Sequence, residues 1–165
     1  VGATVFYGNY LLNKIDKVRV TEMFYKSTRD SKVNVTSSQA IAQGISVDGG
    51  LFVPSEIPSL SLEEIQKLGG MKYSERAALI FSKYLTDFSE EEISWCVDNA
   101  YNDKNFSTEN IAEIAHLVDG TYMLELGHGP TGALKDMAVQ VLPYLLTTSA
   151  KKIKRKVTPH FLLRY

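Results

Sequence analysis

A chain of 165 residues, 44% hydrophobic and 22% charged, suits one globular domain with a real core, or a piece of a larger one, and its composition alone names no function. The formal charge of −1 hides an uneven distribution: up to Ala150 there are 12 basic and 19 acidic residues, giving −7, and the tail from Lys151 carries +6. One cysteine excludes an internal disulfide and a thiolate metal cluster, and no uninterrupted run of about 18 apolar residues is present to make a membrane span.

Residues 1–22 open with the apolar VGATVFYGNYLL, which lacks a basic flank and a small-residue cleavage site and so does not read as a signal peptide. Met23 looks like a natural start of the orderly pattern, and residues 1–22 are read as an unrelated leader that contributes little to the fold. Ser37 is expected to cap a short helix through Gln43, stopped by Gly44, and GLFVP at 50–54 is an apolar run closed by proline. Ser61 and Glu64 form a capping box for SLEEIQKL, which ends at Gly69 and Gly70. In YSERAALIFSKYL, Ala77, Ile80, Phe81, Tyr84 and Leu85 share one face of an amphipathic helix. Ser89 and Glu92 make a second box for EEISWCVDNAYN, where Cys96 lies at helical spacing from Ile93, Val97 and Ala100 and reads as a buried structural thiol.

NIAEIAHLV, 110–118, fits both a helix and an alternating strand, with the extended reading preferred, and TYMLEL, 121–126, is the clearest strand. From Asp136 to Thr147 one helical face carries Ala138, Val141, Leu142 and Leu145, and Pro143 should kink or loosen that helix. Beyond Lys152, residues 153–165 form a basic tail without aromatic interleaving or a second basic patch, so it is read as solvated and no nucleic-acid partner is expected. His116, His128 and His160 are too widely spaced for a local ligand pair, and no metal site is expected.

The chemistry concentrates at LELGHGPTGALKDMAVQVLPYLL, 124–146, where Lys135 follows a glycine-rich loop and precedes a helix-like run. The spacing of Gly127, Gly129 and Gly132 imitates two phosphate motifs and fails both. A P-loop needs Lys and then Ser or Thr directly after its last glycine, whereas Ala133 and Leu134 intervene and Asp136 follows. A dinucleotide fingerprint needs free backbone N–H groups and an acid about 20 positions on. Pro130 has no N–H, and no Asp or Glu follows Asp136. A lysine at a helix N-terminus stands against the macrodipole by about 0.3–1 kcal/mol. That placement helps if the amine must be neutral to attack an aldehyde, and Asp136 can cap the helix so that the loop keeps its shape. The same residues also fit a plain surface lysine in a first helical turn.

HGPTGALKD, preceded by LEL and followed by MAVQVLPYLL, resembles the pyridoxal-phosphate lysine motif of threonine synthases, usually close to ELFHGPTxAFKD. The resemblance extends to YKSTRD at 25–30, AIAQGISVDGGLFVP at 40–54 and YSERAALIF at 73–81, in the family's order, and spans about Met23 to Lys152. DGGLFVP with an upstream STR points to the longer class of threonine synthase. Three residues depart from the usual motif: Gly127 where the family has Phe, Gly132 where many members have a larger residue, and Leu134 for the Phe before the lysine.

This resemblance implies an α/β fold, the N-terminal part of a tryptophan-synthase-β-like, fold type II pyridoxal-phosphate enzyme. It implies a cytoplasmic lyase that uses pyridoxal 5'-phosphate to convert O-phospho-L-homoserine and water into L-threonine and phosphate, with no nucleic-acid or membrane partner. Lys135 matches the Schiff-base lysine, and Arg29 and Asp48 match positions that would bind substrate or shape the site entrance. Residues 23–152 would be the threonine synthase region, an N-terminal fragment with little turnover alone, its cofactor phosphate and ring held by residues beyond this chain. Apolar faces such as Val141 and Leu145 would then lack partners. The alternatives are a non-catalytic remnant, a regulatory or interaction fragment, and another fold type II lyase.

Overall fold

The structure, a computed structural model, describes residues 22–154. The expectations for the leader at 1–22 and the tail at 153–165 fall, but for Glu22, Ile153 and Lys154, outside those residues. Met23 is buried, and its backbone N–H donates to Thr86 Oγ1 at 2.8 Å.

Strand β1 (Tyr25–Ser27) pairs antiparallel with β2 (Phe52–Pro54), with Tyr25 opposite Pro54 and Ser27 opposite Phe52. Proline, with no N–H to donate, closes β2 as the sequence indicates. Between the strands lies α1 (Ser37–Gln43), which ends at Gly44 with φ +79°. Its cap is Thr36, in a reciprocal box with Gln39, and not the expected Ser37. The Ser37 hydroxyl is taken by the Asp87 carboxylate, to which Ser38 N–H also donates at 3.1 Å. Burial pushes the Asp87 carboxyl up, but the hydrogen bonds from Ser37 and Ser38 outweigh it and hold the group below its ordinary range.

Helices α2 (Leu62–Leu68) and α4 (Glu90–Ala100) begin at Ser61 and Ser89 in the two expected capping boxes. Between them, α3 (Tyr73–Tyr84) starts at Lys72 without a side-chain cap. On its expected apolar face Ala77 and Phe81 pack against the core, which Leu85 closes just beyond the helix. Helix α4 buries Ile93, Cys96, Val97 and Ala100, the apolar stripe read from the sequence.

Strands β3 (Glu113–His116) and β4 (Tyr122–Glu125) form an antiparallel hairpin, Ile114 opposite Leu124, so both extended readings hold. The expected single helix over 136–147 is instead two, α5 (Asp136–Val139) and α6 (Leu142–Lys152). Pro143 sits in the first turn of α6, where its missing N–H costs nothing, and the ladder restarts there. Only half of the predicted face is covered: Val141 and Leu145 are buried, whereas Ala138 and Leu142 are exposed. Val141 and Leu145 do have partners, because both join the core cluster with Cys96, Val97 and Ala100. Helix α6 packs against α1 on one side and α4 on the other. The whole is a mixed α/β arrangement of helices with two small antiparallel sheets. No helix among the described residues is long and apolar enough to cross a membrane.

The hairpin differs from this core in exposing apolar side chains: Ile114 on β3, Tyr122, Met123 and Leu124 on β4, and Leu117 and Val118 between them. Two consequences are measurable. Ile93→Ala, which empties a site only 3% exposed, should lower unfolding free energy by about 2–5 kcal/mol in a urea melt. Leu124→Lys should reduce concentration-dependent light scattering by the purified chain, since a charge on an exposed apolar edge suppresses edge-to-edge association; unchanged scattering would mean that the hairpin does not drive association.

Candidate functional site

Lys135 is the residue that precedes α5, in helical conformation at φ −64°, and its side chain is exposed with no hydrogen bond or ion pair to another described residue. The handover from strand to glycine loop to helix start read from the sequence is therefore present. Its local cause is not a capping carboxylate. Asp136 is the first residue inside the helix, 1% exposed, and its carboxyl turns back into the loop. There it accepts from Thr131 N–H at 2.8 Å and from Thr131 Oγ1 at 2.9 Å. Gly129 lies so close that a Cβ would stand 2.7 Å from Asp136 Cγ, and Gly132 turns the loop at φ +69°.

The loop is anchored at both ends. At its start the His128 carbonyl accepts from Ser107 N–H at 2.9 Å, and the His128 ring Nε2 lies 3.0 Å from Glu125 Oε2. Past Lys135, the Met137 carbonyl accepts from Tyr101 Oη at 2.7 Å. Burial, with a smaller contribution from Tyr73, pushes the Tyr101 phenol far above its ordinary range, so it stays protonated and donates. A shallow pocket of about 260 Å³ opens beside the loop, lined by Ser107, His128, Gly129 and Pro130 among others.

Arg29 and Asp48, paired in the sequence reading by resemblance alone, meet in space. Arg29 Nη1 donates to the Asp48 carbonyl at 3.1 Å. The Asp48 carboxylate is occupied internally: it accepts from Gly50 N–H at 2.8 Å and from Ser27 Oγ at 2.8 Å. Those bonds, Gly50 first and Ser27 next, hold its carboxyl below the usual range. Asp48 therefore shapes the turn and spends its carboxylate oxygens there, while the other Arg29 guanidinium donors have no partner among the described residues. Gly49 has φ +78° and passes so near Arg29 that a Cβ would lie 2.8 Å from Nη1. A side chain on Gly50 would overlap Ser27 Oγ. No hydrogen bond or ion pair among the described residues joins Arg29 or Asp48 to Lys135. Sequence reasoning missed Ser27, Thr131 and Tyr101, all hydroxyl donors that act across 5 to 36 residues. Thr131 alone had a local signal, a hydroxyl between Gly129 and Asp136.

Residues 24–101 match the family described as threonine synthase N terminus. The chain is 38% identical over 111 residues to threonine synthase-like 1 of Homo sapiens, covering 66% of this chain and 15% of that protein. It is 36% identical over 124 residues to the threonine synthase of Schizosaccharomyces pombe, 74% of this chain and 24% of that one. Among solved structures, a pyridoxal-phosphate-bound threonine synthase from Brucella melitensis superposes with a TM-score of 0.73 at 29% identity, covering 80% of this chain and 28% of the other. Yeast threonine synthase gives 0.71 at 26% identity, covering 81% and 27%. The fold is thus that of the N-terminal part of these enzymes, and the chain spans about a quarter of the length of the threonine synthases it matches.

The lowered Asp48 carboxyl generates a pH dependence with a definite sign. A carboxyl depressed in the folded state contributes stability that is full above its unfolded value and is lost as pH falls through the folded value. The Gly50 amide should therefore stay protected at neutral pH and lose protection once pH drops below the ordinary carboxylate value of 3.8. Amide exchange followed by NMR reads this directly. Asp48→Asn should flatten the dependence, and a Gly50 amide whose protection ignores pH in the native chain would contradict the assignment.

Proposed function

We propose, from the premise that this chain belongs to the threonine synthase family through its N-terminal residues, that it supplies the cofactor lysine and part of the substrate site of a pyridoxal-phosphate-dependent threonine synthase. The reaction would convert O-phospho-L-homoserine and water into L-threonine and phosphate. The observation that carries this reading is Lys135 itself: an exposed amine without a hydrogen-bond or ion-pair partner among the described residues, on a glycine-turned loop fixed on either side of it. These residues fit a flat aldehyde cofactor, because the donor is a primary amine and Gly127 and Gly132 leave the loop that leads to it without side chains. Pyridoxal phosphate, when bound, supplies an electron sink for the substrate carbons.

The chain's own residues then have distinct tasks. Lys135 Nζ would be the group that holds the cofactor, and it would take and return protons at the substrate carbons. Arg29 offers the guanidinium donors not spent on the Asp48 carbonyl to an anionic group of the substrate, where charge-assisted bonds give orientation as well as affinity. Asp48 keeps the turn beneath Arg29 in shape through Ser27 and Gly50. Leu134 is 68% exposed beside the lysine and would offer apolar contact to whatever lies over it.

The test is direct. Purified chain is treated with pyridoxal phosphate and borohydride, and peptides are mapped: the label should fall on Lys135 and vanish in Lys135→Ala. Label spread over other lysines, or unchanged in that variant, would sink the assignment. Phosphate release from O-phosphohomoserine by the 165-residue chain alone is expected to remain far below the roughly 1–10³ s⁻¹ of ordinary enzymes, because it spans about a quarter of the enzymes it matches. Labelling without turnover would leave a cofactor-binding, non-catalytic member of the family.

A further inference from the structure

We infer that Asp136 is the positioning residue of Lys135: by closing on Thr131 it sets the backbone from which the lysine reaches, an inference that rests on the reading of Lys135 as the cofactor lysine. Burying a carboxyl group is costly unless its oxygens are satisfied. Asp136 is 1% exposed, yet it has no ion pair among the described residues. The amine next to it in sequence, Lys135, does not turn towards it. Every hydrogen bond that the Asp136 carboxyl group makes among the described residues goes to one residue, Thr131, from the backbone N–H and the hydroxyl together. A carboxyl group placed in a first helical turn only for the macrodipole would sit in solvent and have no need of such bonds.

What the contact closes is the loop that leads to the lysine. Gly132 N–H donates to the Gly129 carbonyl at 3.1 Å, and Gly129 leaves the space that the Asp136 side chain fills. Gly129, Thr131, Gly132 and Asp136 thus form one folded unit, with the exposed Lys135 beside it. Tyr101 fixes the Met137 carbonyl on the far side. The backbone is held on both flanks of Lys135 and only its side chain is left free, which is the arrangement that sets a covalent ligand at one distance and angle.

Two measurements on the full chain test this, and they separate it from the reading it rests on. The first is amide exchange across 127–135 without any cofactor. Asp136→Ala should speed exchange of the Thr131 amide by at least about ten-fold while α4 amides keep their protection. The second is the share of borohydride-fixed pyridoxal phosphate found on Lys135, which should fall by a similar factor in Asp136→Ala and in Thr131→Val and be restored in Thr131→Ser. If native chain is not labelled at Lys135, the cofactor reading fails while the exchange arm still reports on the clamp. If native chain is labelled and the folded Asp136→Ala or Thr131→Val variant is labelled equally, the positioning role is overturned. Thr131→Val keeps the buried carboxyl bonded to one N–H, so it covers the case in which Asp136→Ala unfolds.

Discussion

The burial of α6 between α1 and α4 is the constraint on which the remaining geometry depends. That packing is close because the facing side chains are small: Cys96 and Ala100 on α4 are fully buried, as is Ser149 on α6, with Ala150 nearly so. Small residues let helix backbones approach and allow larger neighbours such as Leu145, Val97 and Phe88 to fill the space around the contact. The Cys96 thiol, pushed up mainly by burial, touches Thr148 Oγ1 at 3.6 Å and acts as a small hydrophobe. Pro143 stands in the first turn of α6, α5 lies just before it, and the Tyr101 hydroxyl ties the Met137 carbonyl to the end of α4. The exposed lysine loop owes its position to a core that it does not enter.

Much of this was legible in the sequence wherever the signal is local. The Ser61–Glu64 and Ser89–Glu92 boxes give correct helix starts because the residues that make them are three apart and need no other partner. Alternation finds β3 and β4, and helical spacing finds the buried face of α4. Thr36 was missed because the decision belongs to Asp87, about fifty residues away, which takes the Ser37 hydroxyl and leaves Thr36 to cap. Helical spacing places Ala138, Val141, Leu142 and Leu145 on one face, but only Val141 and Leu145 reach the core, because spacing alone does not say how wide a stripe the neighbouring helices cover. Alternation also says nothing of what lies over each face of a hairpin, so the exposure of Ile114 and Leu124 could not be read from it.

At the candidate site the glycines announced a loop and the lysine announced a chemistry, but the residues that hold them in place were silent. Ser27 and Asp48 are 21 residues apart, and Tyr101 and Met137 are 36 apart. Such pairs arise only when elements pack, and a serine or tyrosine carries no mark of its future partner. Asp136 was visible but read for the wrong task, since an acid at a helix start ordinarily serves the helix and here serves the loop.

The Asp48 turn and the Lys135 loop share one device. In each, an aspartate folds back onto a hydroxyl and a backbone N–H, with a glycine where a side chain would collide: Asp48 with Ser27 and Gly50, Asp136 with Thr131 and Gly129. In each, a basic residue lies close by, Arg29 or Lys135, and the aspartate's carboxylate oxygens are taken by neutral donors instead of by that cation. The difference in partner matters physically. Had Asp48 paired with the exposed Arg29, the pair would gain only modest energy, and either pairing would neutralise the charge that an anionic or electrophilic ligand would meet. By satisfying the acids on neutral dipoles, the chain holds the turn geometry and leaves the guanidinium and the amine without a carboxylate partner among the described residues. A site built this way is ordered before any ligand arrives, so binding need not pay for arranging it.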